Sequence, residues 1–312
     1  MQLPPALREY ITAQASLVPL PELERACTAM SAHYRGREGT SSLALSPQAK
    51  TTAYLVTRLP ATYVAAHAVL SELKHRLGNV ASLLDLGAGP GVATLAARGL
   101  FPALDATLVE SDPAFTAIAR DLLPGATFLG QDLRSTASYP PHDVVVASYA
   151  LGELPPAHRL RVVERAWRAA RLALVVVEPG SPAGFAVVRE IRDRLLSSGA
   201  SMAAPCPHEG ACPIVAPDRC HFAARLERTS LLRRMKHATL GYEDEKFSYV
   251  ILTKMDVERA GARIIRRPEH RPGLIQLTLC RGDAIRAEGV GRRNPSAFRS
   301  ARRAQWGEEW PD

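Results

Sequence analysis

The spacing of hydrophobic positions changes part-way along the chain. Over residues 1–78 apolar side chains recur every three or four positions, at 7–17, 23–30 and 48–77, which predicts amphipathic helices. Pro4-Pro5 and then Pro19 with Pro21 start the first two, and Pro60 interrupts the third. Tyr63, Leu70, Leu73 and Leu77 fall near one face of its second half. Residues 31–46 are polar and glycine-bearing and read as a loop. From Val80 onward, short apolar runs of strand length alternate with helical stretches. Strands are predicted at 80–86, 106–110, 127–129, 143–147, 172–178, 246–254 and 273–280, with helices at 114–122, 159–171 and 185–196. Such alternation predicts an α/β fold with a mostly parallel sheet, the last strand forming an antiparallel edge. Between the fifth and sixth strands the chain is about fifty residues longer than a short connection requires.

Where the first strand ends, the chain reads Leu83-Leu84-Asp85-Leu86-Gly87-Ala88-Gly89-Pro90-Gly91. An acid closes a buried strand, and three glycines at alternate positions lead into a helix at 92–97. Glycine tolerates positive φ and lets a ligand approach the backbone with no Cβ in the way. The spacing is neither the G-x-G-x-x-G of nicotinamide enzymes nor a phosphate loop ending in G-K-S/T. It resembles motif I of class I S-adenosylmethionine-dependent methyltransferases, a Rossmann-like fold with a mostly parallel seven-stranded sheet. Glu110 ends the second strand about 20 residues beyond the glycines, where an acid can accept both ribose hydroxyls. Ser111-Asp112-Pro113 caps the next helix. Asp132, after the third strand, resembles the adenine-binding acid of these enzymes. Ser148 stands at the end of the fourth strand, on the side where ligands bind in open α/β sheets. The expected donor-binding set is therefore Asp85, Gly87, Ala88, Gly89, Gly91, Glu110, Ser111, Asp132, Leu133 and Ser148. No catalytic residue is assigned. The Asp/Asn-Pro-Pro-Tyr/Phe of amino-methylating enzymes is missing after the fourth strand, and Pro140-Pro141 precedes that strand. No cysteine stands there for a C5-pyrimidine mechanism, and Glu153 suits a helix N-terminus.

Composition adds a partner and a setting. The chain has 312 residues and is 46% hydrophobic, enough for a sizeable core. No apolar run approaches a bilayer span, and the first residues lack the basic and apolar regions of a signal peptide. A cytoplasmic protein, a monomer when free and without membrane association, is expected. The net charge of +8 is concentrated. Residues 219–236 hold six basic side chains against Glu227, and residues 281–303 hold seven arginines against Asp283 and Glu288. Concentrated arginine points to a polyanion, with RNA first among candidates.

Cys206, Cys212 and Cys220 lie within fifteen residues, among prolines and a glycine, in the long connection. In a cytosolic chain this favours a metal over a disulfide. Cys280 ends the seventh predicted strand and could complete a four-thiolate site. The spacing names no metal: it is neither the zinc-ribbon pair nor the ferredoxin run, and His208 or His221 could replace a thiolate in a zinc site. Cys27 reads as a buried core residue.

The motifs Cys206-Pro-His, Cys212-Pro and Cys220-His-Phe, followed by Tyr242-Glu243-Asp244-Glu245-Lys246-Phe247-Ser248-Tyr249, are similar to a known family: the methyltransferase-like assembly factors of the mitochondrial small ribosomal subunit and their bacterial relatives. Arg58-Leu59-Pro60-Ala61-Thr62-Tyr63 and Trp306-Gly307 resemble the same family. The resemblance implies a 4Fe–4S cluster on Cys206, Cys212, Cys220 and Cys280, and association with the small ribosomal subunit and its 16S-type RNA. It implies either methylation of that RNA or a non-catalytic role in assembly. The expected organisation is an N-terminal helical region (1–78), a methyltransferase-like domain (79–290) carrying a Cys-rich insertion (200–245), and a basic C-terminal tail (291–312).

Overall fold

The computed structural model describes residues 1–33 and 45–311; most of the loop expected at 31–46 lies outside the described residues. Four helices come first: α1 (Pro5–Ser16), α2 (Leu20–His33), α3 (Pro47–Thr57) and α4 (Leu59–Leu77). The break expected at Pro60 falls two residues earlier. Arg58 separates α3 from α4, and Pro60 sits in the first turn of α4, where no intrahelical N–H is needed.

The next segments build the main sheet: β1 (Ser82–Leu86), α5 (Val92–Leu100), β2 (Asp105–Val109), α6 (Pro113–Leu122), β3 (Thr127–Leu129), β4 (His142–Ser148), α7 (Pro156–Ala169), β5 (Ala170–Pro179), α8 (Pro182–Leu196), β6 (Ser201–Ala204), β7 (Phe222–Glu227), α9 (Ser230–Met235) and β8 (Tyr242–Thr253). The order is β3-β2-β1-β4-β5-β8-β6, with β7 on the free half of β8. β1 to β5 pair in parallel, while β8 is antiparallel to β5, β6 and β7. This is the expected doubly wound α/β arrangement, with eight strands in place of seven.

Burial on both faces explains the unbroken apolar runs. Leu83, Val144, Val146, Val175 and Ile251 pack toward the N-terminal helices and α5. Leu84, Val145, Leu174, Val176 and Leu252 pack toward α7 and α8.

A second sheet was not expected. It comprises β9 (Ala262–Ile264), β10 (Glu269–Arg271), β11 (Leu274–Arg281), β12 (Ala284–Gly291) and β13 (Glu309–Trp310), all antiparallel where they pair, with α10 (Pro295–Arg303) packed on it. The run 273–280, expected as the seventh strand of the main sheet, is β11 here. The antiparallel position beside β5 is taken by β8, which runs through the segment expected as the sixth strand. Part of the stretch expected as a basic tail is α10, held because Ala301 is fully buried against Leu277 and Leu279.

Candidate functional site

The sheet order reverses at β1, between β2 and β4, and the glycine loop leaves β1 at that point. Crevices at such reversals are the usual ligand sites of open α/β sheets. Gly87, Gly89 and Gly91 all have positive φ, at 65°, 53° and 84°. Their reasons differ. A Cβ on Gly87 would lie 2.6 Å from Ala150 Cβ, and one on Gly91 would lie 2.4 Å from Leu123 Cδ1. A Cβ on Gly89 would meet nothing within 4 Å. Gly87 and Gly91 are thus fixed by packing, and Gly89 faces open space. The Gly87 and Ala88 N–H groups donate to Val109 O at the end of β2, pinning the loop.

Asp85 is 1% exposed and accepts from the Thr94 N–H at 3.1 Å and the Thr94 hydroxyl at 2.8 Å. It therefore ties β1 to the first turn of α5. Burial pushes its pKa up to about 6, against the two Thr94 hydrogen bonds. Glu110 accepts from Gly89 N–H at 2.7 Å and from Asp112 N–H at 2.7 Å, one on each oxygen. Each oxygen keeps a lone pair for another donor. Asp132 is chelated by Arg134 through its backbone N–H and guanidinium, and these bonds hold its pKa down near 2.

A cleft of about 1130 Å³ opens over this edge. Of the ten expected donor-site residues, Asp85, Gly87, Ala88, Glu110, Ser111, Asp132, Leu133 and Ser148 line it. Gly89 and Gly91 do not: Gly89 contributes through its bond to Glu110, and Gly91 is the left-handed N-cap of α5. The N-terminal helices supply Met30, Tyr54, Arg58 and Thr62 to the opposite wall.

Sequence reasoning missed the far end of the cleft. Glu178, at the end of β5, is 2% exposed; it accepts from Gly152 N–H at 2.9 Å, and burial raises its pKa to about 7. The Gly152 position admits nothing larger, since a Cβ there would lie 2.7 Å from Glu178 Oε2. Tyr149, just past β4, has φ of 58°, a left-handed conformation costly for a bulky residue. Its hydroxyl donates to Glu245 at 3.0 Å, and Arg58 stands 4.0 Å from the same carboxylate. Burial drives the Tyr149 phenol well above its ordinary range, so it acts as a donor. A signal for Glu178 existed in its position: an acid ending a strand on the ligand side, as Glu110 does.

Cys206, Cys212, Cys220 and Cys280 line one cavity of about 40 Å³, together with Phe185, Ile214 and Ile265. All four are free thiols, and burial raises the pKa of Cys206, Cys220 and Cys280, the last to about 12. Among the described residues, no group of three or more His, Cys, Asp or Glu side chains is arranged to hold a metal ion. The expected metal-binding insertion is therefore not reproduced as a metal site, although its four thiols line one cavity. His208 also lines the cavity, whereas His221 packs edge-on against Trp306 at 4.7 Å. Several buried nitrogens here lack any partner: both ring nitrogens of His208 and Nε of Arg192. Cys27 is fully buried in the helical layer, away from this group.

The family described as mitochondrial small ribosomal subunit Rsm22 matches residues 48–311, a span that includes the cleft's sheet and all four of these cysteines. The chain belongs to the Rsm22 family. It is similar to the human ribosome assembly protein METTL17, mitochondrial, at 29% identity over 288 residues, 83% of this chain and 62% of that protein. It is also similar to the fission yeast Rsm22-cox11 tandem protein 2, mitochondrial, at 25% identity over 324 residues, 83% of this chain and 43% of that protein. The chain thus spans less than two thirds of either relative's length. A shorter stretch, 27% of the chain, is 36% identical to Escherichia coli trans-aconitate 2-methyltransferase over 84 residues. The family and its first relatives are mitochondrial by name, which overturns the cytoplasmic expectation. Among the described residues no helix is long and apolar enough to cross a membrane.

Proposed function

We propose that this Rsm22-family chain is a donor-binding assembly factor of the small ribosomal subunit, acting on its RNA. The observation that carries the reading is the family match over residues 48–311. The cleft supports the ligand. Its walls carry Asp85, Glu110, Asp132, Glu153, Glu178 and Glu190 against Arg58, Arg134 and Arg159, a lining richer in acids than in bases and suited to a sulfonium cation. Glu110 has lone pairs for ribose hydroxyls, Asp132 lines the same cleft as a candidate for the adenine end, and the Gly89 backbone has no neighbour within 4 Å of a Cβ position.

The cysteine cavity fits a 4Fe–4S cluster better than a single zinc ion. Zinc draws four ligands to one point, whereas a cubane separates its four thiolates, matching thiols set around a cavity. The unpartnered Nε–H of Arg192 and the one N–H of a neutral His208 are buried donors in want of an acceptor, which cluster sulfides would provide. In this reading Cys206, Cys212, Cys220 and Cys280 hold the group, which when bound makes the thiols thiolates and staples the segment.

At the acceptor end Tyr149, Glu245 and Arg58 bond to one another, which favours assembly without methyl transfer. One observation favours the second reading, methylation of small-subunit RNA: Glu178 lines the cleft with a pKa of about 7, within reach of general-base work. Depletion of the protein, followed by rescue with parent or Glu110→Ala, tests both readings. Immature small subunits should accumulate on depletion; an unchanged subunit profile overturns the assembly role. A methyl mark on the RNA lost on depletion and restored by the parent alone would establish the enzyme reading.

A further inference from the structure

The two basic stretches of the sequence have different fates in the fold. In residues 219–236 the charges are mostly engaged within the chain. Arg225 pairs with Asp244 at 2.7 Å, Arg228 with Glu243 at 3.0 Å, Arg234 with Glu24 at 3.2 Å and Lys236 with Glu243 at 2.7 Å. The second stretch differs. Arg281 pairs with Glu288 at 3.4 Å, and Glu288 also accepts from Trp310 Nε1 at 3.0 Å. The remaining six, Arg286, Arg292, Arg293, Arg299, Arg302 and Arg303, are exposed. Among the described residues none of their side chains makes a hydrogen bond, ion pair or ring contact.

These six occupy one small unit: the outer strand β12, the turn after it, and α10. Among the described residues β12 pairs only with β11, so its other edge is open. Beside it runs an open groove of about 660 Å³, lined by Gly289, Gly291, Arg292, Arg293 and Asn294 together with one acid, Glu288, whose carboxylate is already engaged by Arg281 and Trp310. Arg302 and Arg303, in the last turn of α10, complement the helix dipole. Arg292 and Arg293 precede its N-terminus and oppose the dipole, so their placement contributes nothing to folding. Aromatic side chains are missing from the face. Phe298 is the one aromatic residue in 284–303, and it packs into the core of the second sheet.

We infer that β12 and α10 form a docking surface for the phosphate backbone of helical RNA. Unpaired arginines at a glycine-lined groove complement phosphates, while single-stranded RNA is bound mainly by stacking on exposed aromatics, which this face lacks. The groove and the donor cleft share no lining residue, so the backbone and the donor occupy separate parts of the molecule. The inference rests on the RNA-associated reading above and adds the surface and the form of RNA.

The test uses fluorescence anisotropy on the full chain with three probes: purified small-subunit RNA, a duplex RNA of about 16 base pairs, and a uridine single strand of equal length. The variant is Arg293→Glu with Arg299→Glu; an acid at 293 sits ahead of a helix N-terminus, so folding is retained. The control, Arg161→Glu with Arg168→Glu, makes the same charge change at exposed positions of α7. The parent should bind duplex more tightly than single strand, with affinity falling steeply between about 50 and 200 mM salt. The β12–α10 variant should lose about tenfold or more in duplex affinity, and about two units of salt slope, relative to the control. If the parent binds small-subunit RNA but both variants bind duplex alike, or the single strand wins, the inference falls and the reading above stands. If the parent binds no small-subunit RNA, that reading falls first and takes this surface with it.

Discussion

Glu178 is held by the N–H groups of the turn after β4 and is almost sealed from water, so its two protonation states are unequally at home in the folded chain. Burial disfavours the carboxylate more than two backbone donors favour it, and the folded pKa of about 7 lies above the ordinary 4.5. A raised carboxyl pKa means that the folded state binds the proton more tightly. The stabilisation is complete below the unfolded value and is lost as pH climbs from about 4.5 through about 7. Each unit corresponds to about 1.4 kcal/mol, so the loss is on the order of 3 kcal/mol. Asp85 adds a loss of the same sign between about 3.8 and 6. Glu178→Gln keeps an acceptor for Gly152 and cannot ionise. It should therefore be more stable than the parent above pH 7 and show a flatter pH profile between 5 and 8 in urea unfolding. Parallel profiles for the two proteins would show that Glu178 is ionised throughout and that the turn does not depend on its proton. If Glu178 is also the base of a methyl transfer, the same variant loses that activity, whereas a merely structural Glu178 leaves it intact.

At the scale of elements, the glycine loop separates a ligand requirement from a folding requirement. An alanine at either Gly89 or Gly91 faces a left-handed backbone, a cost of roughly 1–2 kcal/mol. At Gly91 the new methyl also collides with Leu123 and crowds Leu108, adding roughly 1–3 kcal/mol of overpacking. At Gly89 the methyl enters open space. Gly91→Ala should thus lower the melting temperature by several degrees more than Gly89→Ala. Gly89→Ala should lose S-adenosylmethionine binding in calorimetry while remaining folded. Equal donor affinity in Gly89→Ala and parent would place the ligand elsewhere in the cleft. This loop was legible because everything that forms it is local: a strand, an acid and three glycines within a few residues. Glu110 was legible for the same reason, by its distance along the chain. The second sheet was not. Its strands look like any apolar run, and what makes β11 its centre is pairing with β9, β10 and β12, which no local pattern states. Likewise the contact of Arg58, Tyr149 and Glu245 joins three remote segments whose individual patterns carry no sign of one another. The cysteines were legible as a group by their crowding. That Cys280 reaches them from a second sheet depends on tertiary structure.

Across the whole molecule, Arg263 is the residue through which the helical layer, the cysteine segment and the C-terminal segment meet. It is 2% exposed and donates to Pro205 O at 3.0 Å, Gly307 O at 2.9 Å and Glu72 at 2.9 Å. Pro205 directly precedes Cys206, Gly307 precedes β13, and Glu72 belongs to α4. A buried guanidinium that satisfies acceptors from three layers holds their relative placement more than it adds to net stability, since desolvation offsets much of its attraction. Removing it leaves Glu72 paired with Arg76 at 3.0 Å, so the carboxylate keeps a partner, while the two carbonyls lose theirs. Arg263→Met, which keeps the volume of the stem, should therefore cost about 2–4 kcal/mol, the penalty of two buried carbonyls left without a donor. The loss should be distributed unevenly. Amide exchange should quicken in residues 205–220 and 304–311, where the freed carbonyls lie, and stay slow in β1, β4 and β5, which are paired on both edges within the main sheet. In the proposed cluster-bound form, iron and sulfide content of anaerobically purified protein should fall together with the protection of residues 205–220, because the cysteine segment is then no longer tied at its first residue. A variant with parental exchange in that segment would show that the cavity is fixed by its own packing. A uniform rise in exchange across both sheets would show that Arg263 supports the fold as a whole instead of the junction between its layers.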